Sequence, residues 1–111
     1  MQRNYDENNI FNKILKGKIP STKVYEDNDV YAFNDIDPKA PVHILVIPKK
    51  PFVSFNDFTQ KSTELEVGKF FKKAQQIAES QNLKAYRIMA NCGEEAGQAV
   101  FHFHLHIMGY K

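Results

Sequence analysis

The chain has 111 residues, 42% of them apolar and 25% charged, and carries a formal net charge of +2. That length supports one domain with a single core and excludes two, the composition is that of a soluble globular protein, and so small a charge gives no electrostatic case for binding nucleic acid or a membrane surface. Cys92 is the single cysteine, so no intramolecular disulfide can form, which fits a reducing, cytoplasmic setting.

Residues 1–9 read as a flexible polar tail without the apolar stretch of a secretory signal, and 10–111 as one domain. Ile10, Phe11, Ile14 and Leu15 fall on one side of a short helix closed by Gly17. Lys23 to Glu26 and Val30 to Phe33 flank Asp27-Asn28-Asp29, a turn-forming run that makes them an antiparallel hairpin. Val42 to Ile47 is β-branched and almost continuously apolar, the pattern of a central strand, and Pro48 stops it. Residues 49–61 show no regular period. Thr63 and Glu66 then offer a capping box for the one long helix, with Val67, Phe70, Phe71, Ala74, Ile77 and Ala78 on one stripe and an end near Asn82.

Ala85 to Asn91 alternates as a half-buried strand, and a loop containing Gly93 and Gly97 leads into the final one. The longest apolar runs are strand-length, so no membrane span is expected. The fold class is α+β, an antiparallel sheet of about five strands with two helices.

The final strand carries the chemistry. In Val100-Phe101-His102-Phe103-His104-Leu105-His106-Ile107-Met108, three of the chain's four histidines occupy alternate positions. Strand side chains alternate between faces, so the imidazoles share one face while Phe101, Phe103, Leu105 and Ile107 take the core face. Imidazole changes charge near neutral pH and serves as nucleophile, general acid or base, or metal ligand. A zinc site is the chief rival reading. Along an extended strand, however, neighbouring triad Cα atoms lie about 7 Å apart and the outer pair about 13 Å, awkward for three nitrogens each about 2.0 to 2.1 Å from one ion.

The run from Gln98 to His106 resembles the signature of the histidine triad (HIT) superfamily. Ile10 to Ile14 with Ile19-Pro20, Ala32 to Ile36, and Ala40 to Lys50 are similar to its Hint branch in the same order, over roughly residues 10–109. The resemblance implies a HIT-like homodimer that hydrolyses purine nucleoside phosphoramidates or related esters of AMP or GMP type. It implies no cofactor, no metal, no nucleic acid and no membrane. His104 would attack the α-phosphorus, a covalent nucleotidyl-histidine would form, and water would release the nucleoside monophosphate.

By the same resemblance His106 protonates the leaving group, and His102 and His43 support the nucleophile. Asn91 and the loop of Gly97, Gln98 and Ala99 cradle the phosphate. Ile10, Phe11, Phe33 and Ile36 surround the base, and Asp35 takes the ribose hydroxyls. The Hint branch commonly has serine where this chain has Ala99, which removes a hydroxyl contact and keeps the backbone donor. The related nucleotidylyltransferases carry glutamine at the third histidine, so His106 argues for hydrolysis. Two other readings share the fold: a nucleotide-binding interaction module with incidental turnover, and a dinucleoside polyphosphate hydrolase of another HIT branch.

Overall fold

A computed structural model describes residues 3–111; residues 1 and 2 of the expected tail lie outside the described residues. The elements run α1 (Ile10–Leu15), β1 (Lys23–Glu26), β2 (Val30–Asn34), β3 (Val42–Pro48), α2 (Phe55–Lys61), α3 (Glu64–Ser80), β4 (Ala85–Met89), a single 3₁₀ turn (Glu94–Ala96) and β5 (Leu105–Tyr110). The strands form one antiparallel sheet in the order β1-β2-β3-β5-β4.

The central strand β3 is apolar nearly throughout because both of its faces are covered, and six of its seven residues are buried. Ile44 and Val46 join Ala32, Leu105 and Ile107 on one face, under Phe70, Ala74, Ile77 and Ala78 of α3. Leu45 and Ile47 take the opposite face with Phe33, where Phe11 of α1 packs on them. Burying a side chain of this size contributes about 1.5 to 3 kcal/mol, so the two clusters fix α1 and α3 on opposite sides of the sheet.

The capping box of α3 forms as expected: Thr63 Oγ1 accepts from the Glu66 N–H, and the Glu66 carboxylate accepts from the Thr63 N–H. The helix stops at Ser80, and Asn82 takes the left-handed conformation (φ 54°) just beyond it.

Three expectations need correction. There are three helices where two were expected, because Phe55–Lys61 is α2. Its start is local chemistry: Ser54 Oγ caps the Asp57 N–H, and Asp57, fully buried, accepts from the Val53 N–H and meets the Lys61 ammonium at 2.8 Å. Strand β4 was expected half-buried, yet all five of its residues are exposed. It lies at the edge of the sheet, so its alternating pattern has nothing within the chain to cover it.

The third correction concerns the histidine run. Only His106 lies in a strand, since β5 begins at Leu105. Ahead of it the chain follows other partners: the Phe103 N–H donates to Phe52 O at 2.7 Å, and His104 Nδ1 lies 2.8 Å from the carbonyl of His102. Phe103 anchors this segment, stacked on Phe58 at 4.9 Å between centroids and touching Phe70 at 5.4 Å. Consequently His102 and His104 are both buried on either side of an aromatic anchor.

The tail segment also makes contacts. Asn9 caps α1 by accepting from the Asn12 N–H, Asp6 O accepts from the Asn9 amide and backbone, and the Tyr5 hydroxyl reaches His102.

Candidate active site

Strands β3 and β5 bring His43 and His106 together. The register sets Leu45 opposite His106 and His43 opposite Met108, which makes the two histidines diagonal neighbours on one face. His43 Nε2 and His106 Nδ1 are 2.9 Å apart. The His104 ring follows, 5.1 Å from that of His106 and edge-on to Phe11 at 4.9 Å.

Hydrogen-bond partners fix every tautomer in this group. A carbonyl oxygen can only accept, so the nitrogen facing it carries the proton. His104 Nδ1 therefore donates to His102 O (2.8 Å), and its Nε2 keeps the lone pair. His102 Nε2 donates to Pro48 O (2.7 Å), leaving its Nδ1 to accept from the Tyr5 hydroxyl (2.6 Å). A backbone N–H can only donate, and that of Lys39 points at His43 Nδ1 (2.9 Å). His43 thus carries its proton on Nε2 and donates to His106 Nδ1, which leaves His106 with an Nε2–H.

Burial pushes all four rings below the ordinary histidine pKa of 6.5, with His102 and His106 lowered to about 4. The neighbouring His104 and His43 add to the effect at His106. Near neutral pH the rings are neutral, as the tautomer assignment requires.

The His104 and His106 rings line a cavity of about 640 Å³. Of the expected residues, Ile10, Phe11, Phe33, Asp35, Ile36, Asn91, Gly97 and Ala99 line it as well. Phe11 and Phe33 form its buried floor, while Ile36 stands fully exposed at its edge. Asp35 is tethered at Oδ1 by the Asp37 N–H and has Oδ2 3.4 Å from His43 Nε2. His43 and His102 do not line the cavity.

Gln98 does not line the cavity. Its side chain is buried, accepting from the Gly93 N–H and donating to the carbonyls of Val53 and Val100. The N–H groups of Gly97 and Gln98 are also engaged, by Glu94 O and Gly93 O. Among the described residues no acceptor within the chain meets the Ala99 N–H, so the loop offers one free donor where three were expected. Gly97 holds a positive φ of 97°, and a Cβ there would press on Asn91 Nδ2 at 3.3 Å, so the loop shape requires glycine.

Sequence reasoning missed the far end of the cavity, built by Ile14, Ile19, Pro20, Ser21 and Thr22, with Leu45 and Val100. Ile14 carried the pattern of a core position, and Ile19-Pro20 that of a simple turn; nothing in their order marks a ligand wall.

Asp35, His43 and His106 bring one ligand atom each within 4.8 Å of one another, a set that could hold a cation by type. The tautomers do not fit one. The Lys39 N–H occupies His43 Nδ1, so Nε2 presents a proton to the cluster, and a metal would have to strip that proton or break the Lys39 bond.

Comparison with known proteins gives the family. Residues 8–111 match the family model described as scavenger mRNA decapping enzyme C-term binding. The chain is 45% identical over 109 residues to an uncharacterised HIT-like protein of Azospirillum brasilense, covering 96% of this chain and 89% of that protein. It is 40% identical over 105 residues to the purine nucleoside phosphoramidase of Escherichia coli K12, covering 93% and 87%. Among solved structures, a histidine triad protein from Clostridium difficile superposes with a TM-score of 0.85 at 43% identity, covering 100% of this chain and 95% of that one. A HIT family hydrolase from Clostridium thermocellum gives 0.82 at 41%, covering 95% and 92%. Fold and histidine cluster together define a histidine triad protein. This chain belongs to the HIT family.

Proposed function

We propose that the chain is a nucleotide hydrolase that cleaves purine nucleoside phosphoramidates or related nucleotide esters at the α-phosphorus through a covalent nucleotidyl-His104. The observation that carries this reading is the bond from His104 Nδ1 to the His102 carbonyl, which leaves an unprotonated Nε2 on a ring that lines the cavity. A neutral imidazole oriented through its other nitrogen is a competent nucleophile. The Escherichia coli relative named as a purine nucleoside phosphoramidase supports the substrate class.

In the reaction, the bound phosphate's negative charge favours a proton on His106 Nδ1, giving an imidazolium. The His43 Nε2–H then turns to Asp35 Oδ2, its alternative acceptor at 3.4 Å. His104 Nε2 attacks the α-phosphorus, the bond to the leaving nitrogen or oxygen breaks, and His106 Nε2–H protonates the departing group. The His104 Nδ1–H bond to the carbonyl stabilises the charge gained by that ring. Water next attacks the phosphorus, the P–N bond to His104 breaks with its electron pair returning to Nε2, and His106 Nε2 takes the water's proton. The Ala99 N–H and Asn91 hold the phosphate oxygens, and Phe11, Phe33 and Ile14 hold the base.

The protein works as a homodimer in the cytoplasm, the first through its exposed edge strand β4 and the second in keeping with its unpaired Cys92. Among the described residues no helix is long and apolar enough to cross a membrane.

The test is a steady-state assay on a panel of adenosine and guanosine phosphoramidates and dinucleoside polyphosphates. The phosphoramidates should turn over fastest. Turnover confined to the dinucleoside polyphosphates, or binding of all without turnover, would replace this reading.

A further inference from the structure

The N-terminal segment lies outside the cavity, yet it reaches the histidine cluster from behind. His102 is fully buried, with its Nε2–H on Pro48 O, so its Nδ1 needs a donor from within the protein. That donor is the Tyr5 hydroxyl at 2.6 Å, whose ring also stands edge-on to the imidazole at 5.6 Å. Burial raises the Tyr5 pKa above its ordinary 10.0, which keeps the hydroxyl protonated.

Tyr5 is itself held in place. Beyond it, Asp6 accepts at its side chain from the Asn8 N–H and at its carbonyl from the Asn9 N–H, and Glu7 O accepts from the Asn12 amide of α1. Before it, the Arg3 guanidinium lies over the Phe101 ring at 3.6 Å and meets Glu94 at 3.3 Å. The segment therefore straps α1 to the loop that ends in the histidines.

We infer that Tyr5 is a positioning residue for the nucleophile, locking the His102 ring through Nδ1 so that the His102 carbonyl stays aimed at His104 Nδ1 and the lone pair of His104 stays on Nε2. This rests on the reading of His104 as nucleophile. Without the hydroxyl, His102 Nδ1 loses its donor in a closed site. The ring then turns or takes its proton on Nδ1 and gives up Pro48 O. Either change shifts the carbonyl two residues before the attacking ring.

The test is Tyr5→Phe, which keeps the aromatic ring and removes the donor, with thermal denaturation as the check on folding. In ¹⁵N spectra of the histidine side chains, the unprotonated His102 Nδ1 should move downfield as its hydrogen bond is lost. His104 should change from the single Nδ1–H tautomer to a mixture. On whichever substrate the wild type turns over, kcat should fall about tenfold with KM within about twofold, because Tyr5 does not line the cavity. An unchanged His102 Nδ1 resonance would overturn the inference, and so would a shifted one with the His104 tautomer unaltered. A shifted His104 tautomer in a protein that hydrolyses nothing on the panel would leave Tyr5 positioning intact and remove the hydrolase reading instead.

Discussion

His104 Nδ1 lies 2.8 Å from the carbonyl oxygen of His102, a contact that only a protonated Nδ1 can make. It assigns the free lone pair to Nε2 of a ring in the cavity wall, so removing that ring removes the covalent route and little of the nucleotide's binding surface. His104→Ala should abolish hydrolysis while nucleotide affinity stays within about tenfold, roughly 1.4 kcal/mol. Wild-type protein mixed briefly with substrate and quenched in denaturant at alkaline pH, where the P–N bond survives, should carry the mass of one nucleotidyl group that the variant lacks. Near wild-type turnover by the variant would rule His104 out as the nucleophile.

The acid limb of the rate follows from the same ring. Protonating Nε2 fills the attacking lone pair, so kcat/KM falls as pH drops through the pKa of His104 in the free protein. Burial depresses that pKa below 6.5. The limb should accordingly have its midpoint below the value of free histidine. Profiles taken with a substrate whose chemistry limits the rate would decide the matter; a midpoint at or above 6.5 contradicts it.

Stability should share this acid sensitivity for a separate reason. His102 and His106 are lowered to about 4 in the folded chain, whereas both return to about 6.5 when unfolded. Between those values the unfolded state binds protons that the folded state refuses, so stability is fully present above pH 6.5 and declines as pH falls toward 4. Urea midpoints measured across that range should drop in the wild type. The drop should be shallower in His102→Gln, which removes one of the two refusing groups.

Phe103 joins core packing to the site. Buried between Phe58 and Phe70, it fixes the backbone on which His102 and His104 sit. Phe103→Ala should cost about 3 to 5 kcal/mol in chemical denaturation, as large-to-small changes in aromatic cores do. Phe103→Leu should cost less but still lower kcat, because the ring that sets the spacing of the two histidines is gone. Full activity in the leucine variant would show that the flanking hydrogen bonds alone hold the segment.

Much of this was legible in the chain because local chemistry dictates it. Thr63 with Glu66 starts α3, the apolar run from Val42 marks a strand covered on both faces, and Ile10 with Phe11 marks α1. The alternation of His102, His104 and His106 singled out three residues that the fold keeps near one another, through an inexact geometry. Period two placed them all on one strand, while long-range partners, Phe52 O and the aromatic anchor of Phe103, pull the first two out of it. Helix α2 escaped the reading because seven residues give too short a period, and its start rests on Ser54 and Asp57 contacts made in the fold. The Lys39 N–H on His43 and the Tyr5 hydroxyl on His102 could not be read at all, since each depends on a fold that brings a backbone donor or a distant segment to a particular ring nitrogen.

The two edges of the sheet differ in how they are guarded against pairing with another strand. β1 is four residues long, carries Lys23 and Glu26 at its ends and is interrupted by a bulge between Lys23 and Tyr25, all of which discourage another strand from pairing. β4 has no bulge and carries less charge. It presents Tyr86 and Ile88 to solvent on one face and Met89 on the other, with Arg87 as its single charge, and Tyr110 of the neighbouring β5 shares the Met89 face. A second copy pairing there about a two-fold axis would cover both the open strand edge and these side chains. Light scattering at micromolar concentration should give twice the chain mass. Ile88→Lys, which sets like charges face to face across such an axis, should shift the protein to monomer while leaving its far-ultraviolet circular dichroism unchanged. A wild type that scatters as a monomer would refute the dimer, and an Ile88→Lys variant that stays dimeric would move the contact away from β4.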